Sequence, residues 1–158
     1  LRRPVLHHFF NLERGPGFAN TFVEDIPLEK VCYPTPNPHL NMMPAGKYTP
    51  NPAELLGSKK MDVLLEKLKE KWRYIIFDTP PVIAVTDSCI LATKVDCVTI
   101  ITRAGKTNIP AADRTLQSLN NVNAQVLGVV LNDVDFMGSY GSNSYYKQYY
   151  HSYHSSKE

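Results

Sequence analysis

Apolar residues along this chain fall into two kinds of run, and the difference predicts the architecture. Met61, Leu64, Leu65, Leu68 and Trp72 recur at three- and four-residue spacing, with lysines and glutamates between them, the stripe of a helix that lies on a sheet. Tyr74-Ile75-Ile76-Phe77, Cys97 to Thr102 and Gln125 to Leu131 are instead apolar runs with little polar alternation. Runs of that kind predict strands buried on both faces of a parallel sheet. Between them the pattern predicts a short helix over Asp87 to Lys94. It predicts another over Ile109 to Asn121, capped by Asn108 with Pro110 in its first turn. Strand, helix, strand, helix, strand in that order is the signature of right-handed crossovers. The predicted class is therefore α/β, a parallel sheet with helices on both faces.

The amino-terminal part is less regular. Pro4 introduces a short helix over Val5 to Asn11, ended by Gly15-Pro16-Gly17, and a second helical turn is expected around Phe18 to Val23. Lys30 to Tyr33 and Leu40 to Met43 read as short strands on either side of a proline-rich turn. Asn51 and Pro52 open one helix, and Ser58 caps the next, which carries the Met61 to Trp72 stripe. From Gly138 the aliphatic residues stop, and the segment to the end holds six of the nine tyrosines. Without core formers it cannot offset its ordering entropy. The expected division is a folded part over 1–137 and a flexible tyrosine-rich tail over 138–158.

Composition narrows the function classes. With 158 residues, 43% of them hydrophobic and 20% charged, the chain has the make-up of one ordinary globular domain. A net charge of +2 without a basic run gives nucleic-acid binding no support. No apolar stretch approaches the roughly 20 residues of a membrane helix. Cys32, Cys89 and Cys97 share no metal-ligand spacing and read as reduced, mostly buried thiols, and the five histidines read as surface or packing residues.

Candidate chemistry concentrates at the carboxyl ends of the three predicted strands, which deliver Asp78, Arg103 and Asn132. That rim is where open α/β sheets keep their ligands. Asp78 is followed by Thr79-Pro80-Pro81, which bars continuation of the strand and suits a metal-holding acid. Gly105-Lys106-Thr107 imitates the end of a phosphate-binding loop, but the glycine required five positions earlier is Ile100. Gly46-Lys47-Tyr48 fails in the same way, with Asn41 in place of the glycine.

Taken together these stretches resemble the cytoplasmic kinase domain of the bacterial tyrosine autokinases (BY-kinases) of capsular and exopolysaccharide synthesis. Leu1-Arg2-Arg3-Pro4 is similar to the end of that family's second Walker motif, and Asn51-Pro52-Ala53-Glu54-Leu55-Leu56 to its Asn-Pro-x-Glu-Leu-Leu segment. Tyr74 to Pro81 resembles its Walker B strand and Thr86-Asp87 the Thr-Asp that follows. Arg103 to Thr107 resembles its Arg-x-Gly-x-Thr turn. Gly128 to Asn132 and the tyrosine cluster complete the likeness.

The resemblance implies a P-loop NTPase-like fold of the deviant Walker type, here without its first strand or strands and its P-loop. It implies ATP and Mg²⁺ as cofactors, with Asp78 as the metal-holding catalytic acid and Arg103 and Asn132 near the base and sugar. Tyr140, Tyr145, Tyr146, Tyr149, Tyr150 and Tyr153 become phosphoacceptors, modified in trans. Implied partners are other copies in a ring oligomer, a membrane-spanning activator fused or separate, and a tyrosine phosphatase, with no nucleic acid. The implied location is the inner face of the cell membrane. Because the family's first Walker motif is not among these residues, the chain by itself is expected to be inactive and to lack its leading strands. A non-catalytic, phosphotyrosine-bearing scaffold of the export machinery is the alternative. A partitioning or septum-site ATPase would share the Asp78 strand but has no reason to end in tyrosines.

Overall fold

The computed structural model describes residues 1–134 apart from residue 3; the tyrosine-rich segment lies outside the described residues. Two short helices open the chain, α1 (Leu6–Phe9) and α2 (Asn20–Val23). A single 3-10 turn (Leu28–Lys30) leads to β1 (Tyr33–Pro34), which pairs antiparallel with β2 (Asn41–Met42). The strand expected over Lys30 to Tyr33 thus begins later, because its first residues close the turn.

Helices α3 (Pro52–Gly57) and α4 (Lys59–Lys71) follow. Ser58 caps α4 by accepting the Met61 amide, and Pro52 starts α3 in its first turn, as their residue types favour. The chain continues through α5 (Asp87–Ala92), β3 (Val98–Arg103), α6 (Ile109–Asn121) and β4 (Val126–Asn132). Asn108 caps α6 through the Ala111 amide. β3 and β4 are parallel neighbours, with a register irregularity at Val98/Thr99, so the second of the two crossovers expected from the sequence is present.

The larger core joins the α4 stripe (Met61, Leu64, Leu65, Leu68) to Phe18, Phe22, Leu28, Val31, Leu56 and Leu91. A smaller one sets Leu119 of α6 and Ala92 of α5 against Ile100 of β3. Burial of the strands is one-sided. Ile100 is enclosed, whereas Ile101, Leu127, Val129 and Leu131 are exposed, because α5 and α6 cover the Ile100 side and no described element covers the other.

Tyr74 to Phe77 also departs from expectation. It is extended but joins no ladder among the described residues. Ile75 and Phe77 pack on the larger core, with Phe77 edge-on to Phe18, while Tyr74 and Ile76 are 77% and 90% exposed. Without a strand on either side, only one face of the segment has anything to pack against. Cys97 is exposed as well, since it lies just before β3 begins. No helix among the described residues is long and apolar enough to cross a membrane.

Candidate functional site at the carboxyl rim of the strands

Arg103 and Asn132 end adjacent parallel strands and face each other in register. The Ala104 amide donates to the Asn132 carbonyl at 2.9 Å, which carries the pairing one residue past β3. The turn after Arg103 is closed from both sides. The Thr107 hydroxyl accepts the Arg103 amide and the Thr107 amide donates to the Arg103 carbonyl, both at 2.9 Å. Gly105 sits at φ +67° in that turn, where a side chain would be strained.

The Arg103 guanidinium donates to Asp133 Oδ2 at 2.6 Å, and the Lys106 ammonium lies 3.7 Å from the same oxygen. Two cations around one carboxylate leave this corner of the rim net positive, a polarity suited to an anionic ligand. Asp133 has a φ of 59°, which an aspartate tolerates better than a branched residue.

Asp78 ends the extended Tyr74–Phe77 segment, and the structure joins that segment to neither β3 nor β4 through a ladder. The Asp78 carboxylate is exposed and takes no hydrogen bond or ion pair among the described residues. An unengaged carboxylate at a strand end fits Mg²⁺, which keeps several waters and needs only one or two protein oxygens. The described residues hold no group of three or more side chains able to cage a metal ion.

The turn after Asp78 is fixed from α5. The Ser88 hydroxyl donates to the Pro80 carbonyl at 2.6 Å, and the Ala84 amide donates to that of Pro81 at 3.0 Å. Next to Ser88, the Asp87 carboxylate accepts Arg2 Nε at 2.8 Å and a second guanidinium nitrogen at 3.0 Å. Asp87 is 3% exposed and Ser88 6%.

The rim positions of Arg103 and Asn132 were therefore readable in advance. The sequence pattern marks Arg2 and Asp87 only within family-like segments and does not point to Ser88 or Asp133 as site residues. A pair separated by 85 positions in sequence leaves no local periodic signal.

No protein-family model matches the chain. It is 38% identical over 134 residues to the tyrosine-protein kinase ptk of Acinetobacter johnsonii, covering 85% of this chain and 18% of that protein. It is 33% identical over 132 residues to the tyrosine-protein kinase YwqD of Bacillus subtilis, covering 84% and 56%. Among solved structures it is similar to the VpsO kinase domain, with a TM-score of 0.79 and 34% identity over 85% of this chain and 66% of that one. The chain thus spans between about a fifth and about two thirds of the length of these relatives.

Proposed function

We infer from these likenesses that the chain belongs to the bacterial tyrosine-kinase family and corresponds to part of its kinase domain. From that premise we propose that the carboxyl rim serves transfer of the γ-phosphoryl of ATP to tyrosines of the 138–158 segment. The observation that carries this reading is Asp78, a carboxylate at the end of the extended Tyr74–Phe77 segment with no partner of its own among the described residues. Mg²⁺, when bound, neutralises charge on the phosphate oxygens of ATP. Asp78 is the residue that would hold it, with water filling the remaining positions. Arg103 and Asn132 border the nucleotide's base and sugar, and the Arg103–Asp133 pair keeps the guanidinium at the rim.

Phosphoryl transfer asks little covalent chemistry of a protein, so the task of these residues is placement and charge. The tyrosines are presented by another copy of the chain, and each gains about −1.5 to −2 charge on modification. Charge crowded into one segment opposes association between copies, which makes assembly the regulated event. The setting we propose is capsular or exopolysaccharide synthesis at the membrane, with an activator fused or separate and a tyrosine phosphatase to reverse the modification.

The 158 residues contain no phosphate-cradling glycine loop, and on that ground the chain alone binds ATP too weakly to register by calorimetry. Micromolar affinity would overturn that part of the reading. The decisive experiment is Asp78→Asn in the full gene product. Phosphotyrosine on an immunoblot is expected to vanish while circular dichroism is unchanged, and an undiminished signal removes Asp78 from the metal site.

A further inference from the structure

Two adjacent, nearly buried polar residues open α5, and each reaches a different segment beside Asp78. Asp87 takes both hydrogen bonds of a forked contact from Arg2, at 2.8 and 3.0 Å. Ser88 donates to the Pro80 carbonyl at 2.6 Å, two residues after Asp78. A carboxylate 3% exposed is stable as an anion only when it is paired and hydrogen-bonded, and a forked guanidinium contact supplies both. An isolated salt bridge on the surface would need no such enclosure. Because Asp87 and Ser88 are consecutive, these contacts bring Arg2 and the Pro80 carbonyl to the same end of α5.

Tyr74 to Phe77 has no ladder among the described residues to set its position. It is placed on one side by the packing of Ile75 and Phe77 on the core. On the other side of Asp78 the chain is held at Pro80, where the Ser88 hydroxyl donates to the carbonyl. We propose that Asp87 and Ser88 are a positioning pair that ties the turn after Asp78 to Arg2 through the start of α5, and that through Asp78 they set the affinity of the site for Mg²⁺. This rests on the reading of Asp78 given above. Neither residue touches nucleotide or metal in this scheme.

The test has two arms. In the 158-residue chain, the Arg2 Nε–H should give a slowly exchanging proton–nitrogen NMR cross-peak that is lost in Asp87→Asn. A wild-type chain without that protected signal overturns the pairing, whatever the chain's activity. In the full gene product, Asp87→Asn and Arg2→Gln should each lower kcat/KM for tyrosine phosphorylation by about ten- to a hundredfold, the scale of a small misplacement. Both should raise the Mg²⁺ concentration for half-maximal rate by about tenfold, and the double variant should be no worse than the worse single one.

The double variant removes both charges together, so it folds even if Arg2→Gln alone leaves Asp87 stranded. Ser88→Ala should give the same Mg²⁺ shift and Ser88→Thr should restore it. Multiplying losses in the double variant, or a fall in thermal midpoint with the Mg²⁺ dependence unmoved, overturns the positioning role. If the unsubstituted protein phosphorylates nothing, it is the kinase reading that fails, and the clamp is decided by the Arg2 signal.

Discussion

The guanidinium of Arg103 and the carboxylate of Asp133 meet at 2.6 Å across the carboxyl ends of β3 and β4. Both side chains are about half exposed, at 55% and 50%. A pair so open to water gains little net free energy, within about 0–1 kcal/mol. Arg103→Ala should therefore lower stability by no more than about 1 kcal/mol in urea unfolding, while raising the KM for ATP in the full gene product. A larger loss of stability with ATP affinity intact would make Arg103 a structural residue. Asp133→Ala should leave stability equally unmoved and free the guanidinium.

The one-sided packing of Tyr74 to Phe77 gives a sharp contrast between neighbours. Ile76, 90% exposed, should tolerate replacement by serine within about 0.5 kcal/mol, the usual range for surface sites. Phe77 packs on the larger core and meets Phe18 edge-on with ring centroids 6.4 Å apart. Phe77→Ala should cost several-fold more, and Met61→Ala, at a fully enclosed position, about 2–5 kcal/mol. Equal costs at positions 76 and 77 in chemical denaturation would mean that the segment is buried on both sides in solution.

Those same residues show what could be read from the sequence. The α4 stripe, the Ser58 and Asn108 caps and the β3–α6–β4 crossover were legible because spacing and capping are local. One-sided burial was not, because an apolar run states what a strand prefers and not whether a neighbour exists to cover it. Arg103 and Asn132 could be placed on one rim, since each ends a recognisable run. The grip of Asp87 on Arg2 could not, since it joins distant positions through a fold that the sequence pattern does not specify residue by residue.

Asn20 illustrates the same limit and yields a prediction. Its side chain is buried at the start of α2, where Oδ1 accepts the amides of Gly17 and Lys47, each at 3.1 Å, and Nδ2 donates to Glu24 at 3.1 Å. A Cβ at Gly17 would collide with the Pro44 carbonyl, so the two strands of chain meet here at backbone distance. Asn20→Ala strands two amides and should cost about 1–3 kcal/mol, with faster hydrogen exchange at Gly17 and Lys47. Unchanged exchange at those amides would show that the side chain is dispensable to the contact.

Thiol chemistry separates two of the cysteines. Burial pushes the Cys32 thiol up to about 11, so the nucleophilic thiolate is scarce near neutral pH. Cys97 is exposed. Brief treatment with an alkylating reagent at pH 8 should label Cys97 and leave Cys32 unmodified until denaturant is added, as read by peptide mass spectrometry. Early labelling of Cys32 would show that α2 and the 3-10 turn open readily.

Acid sensitivity follows from two groups whose native pKa values are both lowered. His7 is lowered from its ordinary value of 6.5, by burial first and then by His8 and Arg14. Glu24 is lowered from 4.5, chiefly by its hydrogen bond from Lys47 and then by the one from Asn20. In each case the unfolded chain binds the proton more readily than the folded one, so stability rises with pH across the interval between the two values. The His7 contribution is fully present above pH 6.5 and is lost as pH falls through its lower native value; that of Glu24 is lost in the same sense below pH 4.5. Unfolding free energy measured from pH 8 to pH 2 should therefore decline in two stages. His7→Gln should flatten the upper stage and Glu24→Gln the lower. A decline that begins only below pH 4.5 in the unsubstituted chain would show that the His7 ring is not enclosed in solution.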